Sequence, residues 1–238
     1  MRPVHFIATT FAAVLAVSAP MAAHAMCEQS ATFTGSSGQL LADVGKQRSP
    51  NFGLAVMPLV VCPAFDGWVA AFDVWNRFDK SGLHLNETDL ELALSKQCGM
   101  FSAEFYVGYY DLPPQPLQQG VVQLYADFGY RILDLDWLKV KVAARPIQLF
   151  GTGGIGDLTL LRARARIETP LNLVHEGLSL SLEPSVVYNF TRQPGQAEVV
   201  FRPEVSLDWN VNERLRMSLT GKAANSHKIV EAAVTVKF

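Results

Sequence analysis

Apolar and polar side chains alternate along most of the chain with a period of two residues. At the C-terminal end, residues 230, 232, 234, 236 and 238 are apolar, whereas Glu231, Thr235 and Lys237 lie between them. This period is typical of a β-strand with one apolar face. It recurs in twelve segments, which are predicted as strands at residues 39–45, 52–61, 67–78, 87–95, 100–111, 120–132, 137–149, 158–168, 177–190, 197–209, 213–223 and 228–238.

The predicted strands suit a barrel in a membrane better than a soluble sandwich. Most contain the roughly 9–11 residues that a tilted strand needs to cross a bilayer, and their number is even. A sandwich would show the same alternation, but here aromatic residues lie at strand ends. Trp137 and Trp209 fall at one end of the predicted barrel, and Tyr109 and Tyr188 fall at the other, as in the two aromatic belts of membrane barrels. We therefore predict an all-β fold, a transmembrane antiparallel up-and-down β-barrel of about twelve strands.

The N-terminal residues have the features of an export signal. Arg2 precedes an apolar stretch at residues 6–17, and Ala23-His24-Ala25 follows as an A-x-A cleavage site. The apolar stretch is too short to favour an uncleaved membrane anchor. We expect a signal peptide at residues 1–25 that is cleaved after Ala25, a polar periplasmic segment at residues 26–38, and the barrel at residues 39–238. An exported barrel of this kind is expected in the bacterial outer membrane.

The charged residues are sorted along the chain. The formal net charge of -2 argues against a nucleic-acid-binding protein, which would have an excess of Lys and Arg. In a membrane barrel the polar face of each strand lines the lumen. The predicted acidic wall of the lumen consists of Glu87, Asp89, Glu91, Glu104 and Asp127. The predicted basic wall consists of Lys139, Lys141, Arg145, Arg162, Arg164 and Arg166.

These two walls allow two interpretations of the lumen. They can pair across a narrow interior and close it, or water can separate them and leave a transverse field for small polar or charged solutes. Arg162, Arg164 and Arg166 share one strand face, so they repel one another unless acids or an anionic ligand neutralise them. Because a twelve-stranded barrel is intermediate in width, we predict a narrow, porin-like passive channel. The alternatives are a closed structural or adhesion barrel, a soluble periplasmic β-protein and a lipid-modifying outer-membrane enzyme.

The three cysteines indicate a disulfide without fixing its partners. Cys62 and Cys98 fall in predicted periplasmic turns and form one candidate pair, but Cys27 in the N-terminal segment can join either of them. No Cys-x-x-Cys or His pair has the spacing of zinc ligands, so neither a metal nor another cofactor is expected. Ser226 and His227 are adjacent and point to opposite strand faces, which makes them a poor nucleophile–base pair. An enzymatic activity is therefore not expected.

Three segments resemble the TorF-like family of small proteobacterial putative porins. They are Phe72-Asp73-Val74-Trp75-Asn76, Glu87-Thr88-Asp89-Leu90 and Tyr106-Val107-Gly108-Tyr109-Tyr110-Asp111-Leu112-Pro113, in the order of the family's "vWgn-D", "E-x-D" and "GY-x-YY-x-x-P" strands. The resemblance covers residues 53–130 and implies an outer-membrane β-barrel. The C-terminal strand ending in Phe238 is also similar to the sorting signal of such barrels, which implies recognition by the barrel-assembly machinery. The other expected partners are outer-membrane lipid and small polar solutes.

Overall fold

The computed structural model describes residues 27–37, 39–41, 46–49, 53–79, 85–111, 120–151, 157–191, 198–225 and 227–238. They form fourteen strands. In chain order these are β1 Glu28–Ser36, β2 Gln39–Leu41, β3 Lys46–Ser49, β4 Gly53–Pro63, β5 Val69–Asp79, β6 Leu85–Cys98, β7 Phe101–Asp111, β8 Val121–Leu135, β9 Leu138–Gly151, β10 Leu158–Pro170, β11 Leu178–Asn189, β12 Val199–Asn210, β13 Leu215–Ala224 and β14 His227–Lys237. In this part of the chain no helix is long and apolar enough to cross a membrane. The signal peptide predicted at residues 1–25 lies outside the described residues and stays a prediction.

Twelve of the strands form a closed antiparallel barrel, while β2 and β3 form a separate two-stranded sheet. From β4 to β14, each barrel strand pairs with the next one in the sequence. β1 closes the barrel because it pairs with β4 on one side and with β14 on the other. The predicted up-and-down barrel of about twelve strands is therefore confirmed. Closure leaves no free edge, which explains how an apolar strand is accommodated at the end of the chain.

The prediction that the barrel begins at residue 39 is wrong. The segment predicted to be polar and periplasmic, residues 26–38, contains the first barrel strand β1, and the strand predicted at residues 39–45 overlaps the small sheet instead. β1 carries hydroxyl side chains on its inner face, where Thr32 Oγ1 lies 2.9 Å from Thr235 Oγ1 of β14. Its alternation is weak in the sequence because Ala31 and Phe33 are the main apolar residues on its outer face.

The outer surface of the barrel is apolar, whereas many of its inner side chains are polar or charged. Leu92, Phe128 and Val230 on the outer surface are 49%, 51% and 53% exposed, and many other large apolar side chains are exposed beside them. On the inner face, Asp127 and Arg162 are only 4% and 9% exposed. An apolar outer surface of this extent is unfavourable in water and favourable in the hydrocarbon core of a bilayer.

The two ends of the barrel differ, and we name them by what they carry. At the terminal end, the N-terminal strand β1 begins and the chain finishes, and the backbone N–H of Phe238 donates to the carbonyl oxygen of Gln29 at 3.0 Å. The loop end, on the opposite side, carries the connections from β5 to β6 and from β9 to β10. Strands β10, β8 and β12 run from the loop end to the terminal end, and their neighbours run back.

The disulfide of the terminal end joins Cys27 to Cys62, so the pairing of Cys62 with Cys98 is wrong. β1 and β4 are neighbours in the barrel, and Glu28 lies opposite Val61. This register brings the Cα atoms of Cys27 and Cys62 to 4.3 Å. Cys98 ends β6, which β5 separates from β4, and its thiol is free and exposed.

Candidate functional site

The inner face of β6–β10 brings the predicted charged residues together. Asp89 and Glu91 lie on β6, Glu104 on β7, Asp127 on β8, Lys139, Lys141 and Arg145 on β9, and Arg162, Arg164 and Arg166 on β10. The backbone of Glu87 belongs to β6, but its side chain lies outside the described part of the structure. Because these five strands are consecutive, the acidic and basic walls adjoin in the sheet.

Two buried carboxylates neutralise three of the six residues of the basic wall. Asp127 Oδ2 lies 2.6 Å from Arg145 Nη2 and 2.7 Å from Arg164 Nη2. Glu183 Oε1 on β11 lies 2.9 Å from Arg162 Nη2 and 3.4 Å from Arg164 Nη1. The side chains of Asp127 and Glu183 are 5% and 11% exposed, so these ion pairs are shielded from water. Closely spaced arginines can be neutralised by acids of the protein or by an anionic ligand, and Arg162 and Arg164 are neutralised by acids of the protein.

An aromatic stack extends the ion pairs toward the acidic strands. The guanidinium of Arg145 lies 3.8 Å from the ring centre of Tyr125, which is within cation–π distance. Tyr125 stacks on Tyr106 with ring centres 4.2 Å apart and planes inclined by 11°, and its hydroxyl donates to Glu104 Oε1 at 2.7 Å. The Tyr106 and Tyr110 hydroxyls are 2.7 Å apart. A continuous polar network therefore runs from β7 to β11 along the inner face.

Glu183 and the inner tyrosines were not predicted as part of this network. Glu183 could have been found, because Ser181, Glu183 and Ser185 alternate with Leu182 and Pro184 and therefore share the inward face. The tyrosines gave no such signal, since aromatic residues in a membrane barrel are expected at its outer belts. Within the described ranges, no group of three or more His, Cys, Asp or Glu side chains is arranged to hold a metal ion.

Along β10, exposure of the inner face rises from the loop end to the terminal end. Leu158 and Leu160 are 2% and 1% exposed, and the side chains of Arg162, Arg164 and Arg166 are 10%, 22% and 42% exposed. The two leucines belong to an apolar cluster near the loop end. Its buried members are Ile147, Leu158, Leu160, Val187, Val200 and Ala224. The inner face of β10 thus changes from apolar side chains, through buried ion pairs, to charged side chains in contact with water, whereas Ser206 and Asp208 of β12 stay buried toward the terminal end.

The comparisons with known proteins agree with this fold. No protein-family model matches the sequence, and no curated protein matches it either. The solved structure of the KdgM porin matches with a TM-score of 0.55 and 11% identity over 88% of this chain and 99% of that one. An outer membrane channel from Pseudomonas putida F1 matches with a TM-score of 0.57 and 12% identity, covering 89% and 95%. Outer membrane phospholipase A from Escherichia coli matches with a TM-score of 0.52 and 12% identity, covering 89% of each chain. The fold is that of outer-membrane β-barrels, and it occurs in channels and in an enzyme.

Proposed function

We propose that this protein is an outer-membrane β-barrel that acts as a narrow passive channel for small polar or charged solutes. The observation that carries this proposal is the wet, charged inner surface near the terminal end. The side chain of Arg166 is 42% exposed and that of Arg131 is 41% exposed, although both point into a closed barrel. Charged groups that contact water inside a barrel provide a polar path, whereas an apolar interior would exclude ions.

The other features of the chain fit a protein of the outer membrane. Its apolar outer surface suits contact with lipid, and the C-terminal strand ending in Phe238 suits recognition by the barrel-assembly machinery. The N-terminal residues suit export and cleavage after Ala25. The three strand motifs support a place among the TorF-like putative porins. In that orientation the terminal end of this barrel would face the periplasm.

A second candidate function is a closed structural barrel, and one observation favours it. The apolar cluster near the loop end is almost completely buried, since Val187 and Leu160 are 0% and 1% exposed. The ion pairs of Asp127 and Glu183 lie directly beneath it. A lumen filled in this way across its whole width would carry no current.

Planar-bilayer recording of the refolded protein separates the two candidates. Heat-modifiable mobility in gel electrophoresis first shows that the barrel is folded and distinguishes it from a soluble β-protein. A channel gives discrete conductance steps, and their ion selectivity shifts when Arg166 is replaced by Gln. Folded barrels that insert and give no steps would overturn the channel and leave the closed barrel.

A further inference from the structure

Three basic residues lie side by side on the inner face near the terminal end. The strand register places Lys141 of β9 opposite Arg131 of β8 on one side and opposite Arg166 of β10 on the other. We call these three residues the cationic row. Because neighbouring strands are about 4.8 Å apart, three like charges fall within about 10 Å and repel one another unless anions lie between them.

The protein neutralises this row only in part. Arg131 forms an ion pair with Asp134, and Arg166 Nη2 lies 3.4 Å from Glu168 Oε2. Lys139, the next inward residue of β9, lies opposite the same two acids. Among the described residues, only Asp134 and Glu168 therefore lie directly beside these four cations.

Lys141 is the member of the row that forms no direct ion pair, since Asp127 and Glu104 attract its charge only from a longer distance. Among the described residues no carboxylate forms an ion pair with it, in contrast to Arg145, Arg162 and Arg164. Its side chain lies across Gly129, where an added methyl group would overlap the Lys141 chain and come within 2.5 Å of Ser102 Oγ. Glycine at residue 129 therefore allows the Lys141 ammonium group to lie beside the Ser102 hydroxyl, which can also donate a hydrogen bond.

We propose that the cationic row binds the oxyanion group of small solutes, a carboxylate or a phosphate, with Lys141 as its central ligand. This inference rests on the proposed channel and names the class of solute that it selects. Oxyanions accept charge-assisted hydrogen bonds from ammonium and guanidinium groups. The exposed arginines on both sides keep the row open to water, so an anion can enter and leave.

The test uses inorganic phosphate as the probe and does not depend on conduction. Phosphate binding to the refolded full-length barrel in detergent is measured by broadening of the 31P resonance at low ionic strength. Lys141→Gln should weaken binding about fourfold, as expected for the loss of one unit charge about 5 Å from the anion in water. Lys141→Arg should retain binding. Heat-modifiable mobility checks that each variant is folded.

Arg216→Gln is the matched control. Arg216 is another inner-face cation near the terminal end, paired with Asp208 at 2.8 Å on the other side of the lumen and 52% exposed. Its loss should leave phosphate binding unchanged. Equal binding by the wild type and Lys141→Gln, or equal weakening in both variants, would overturn the proposed site. Phosphate binding that depends on Lys141 in a barrel without conductance would refute the channel and support the site.

Discussion

Asp127 should be the most important single charge for the stability of this barrel. Its carboxylate is shared by two guanidinium groups, at 2.6 Å from Arg145 and 2.7 Å from Arg164, and its side chain is 5% exposed. Asp127→Asn keeps the shape of the side chain and removes its charge. The two arginines then remain in a shielded layer without their common acid.

The magnitude follows from the burial and from the partners that remain. Removing one member of a buried ion pair costs about 3–5 kcal/mol. Here Arg164 keeps Glu183 at 3.4 Å, and Arg145 keeps Glu104 at 3.9 Å. Because these contacts retain part of the attraction, we expect the free energy of unfolding to fall by about 3 kcal/mol, at the lower end of that range.

Urea unfolding in lipid vesicles, followed by tryptophan fluorescence, measures the effect. Asp208→Asn is the control, because Asp208 also pairs with an arginine but that arginine, Arg216, is 52% exposed. Asp208 itself is 8% exposed, but the arginine left behind stays in contact with water, so its loss should cost less than about 1 kcal/mol. If Asp127→Asn lost no more stability than Asp208→Asn, the ion-pair layer would not hold the barrel together and the reasoning would be refuted.

The disulfide and the turn after β10 give two further predictions. Mass mapping of the alkylated, non-reduced protein should find Cys27 joined to Cys62 and Cys98 alkylated, and a Cys62–Cys98 peptide would contradict this. Because the cross-link spans 35 residues, its reduction should lower the free energy of unfolding by about 4 kcal/mol. Gly177 has φ 77°, and an added methyl group would lie 2.5 Å from a carbonyl oxygen of β12, whereas Gly99 has φ 59° and open space around it. In the same urea assay, Gly99→Ala should lower the free energy of unfolding by about 1 kcal/mol because of backbone strain. Gly177→Ala should lower it by at least about 1 kcal/mol more because of the clash. Equal losses in the two variants would contradict the clash.

Alternation alone was sufficient to predict eleven of the twelve barrel strands, β4 to β14. A membrane barrel sorts its residues strictly between lipid and lumen, so each strand carries the signal by itself. The exception, β1, faces the lumen with hydroxyls such as Thr32 and Thr34, and small residues occupy much of its outer face. Its place in the barrel depends on pairing with β4 and β14, which are distant in the sequence.

The membership of the inner face was predictable, but its pairings were not. Strand parity puts Arg162, Arg164 and Asp127 inside, and this follows from the sequence. Which acid meets which arginine depends on the register between strands and on the reach of the side chains. Arg164 contacts Asp127 although β9 separates their strands, and it also contacts Glu183 on β11. No local pattern encodes contacts of this kind, because they arise from the tilt and closure of the whole sheet.

In the proposed channel, the rise in exposure along the inner face of β10 would give passage and selectivity to different residues. Val187 and Leu160 are in the dry layer near the loop end, so in the proposed channel they would determine whether ions can pass along β10 and β11. Lys141 and Arg166 are in the wetter part near the terminal end, where a net positive charge favours anions without blocking water. Changes in the wet part should therefore alter which ions pass, and changes in the dry layer should alter how many pass. A barrel in which both kinds of change moved conductance and selectivity together would not have the layered lumen described here.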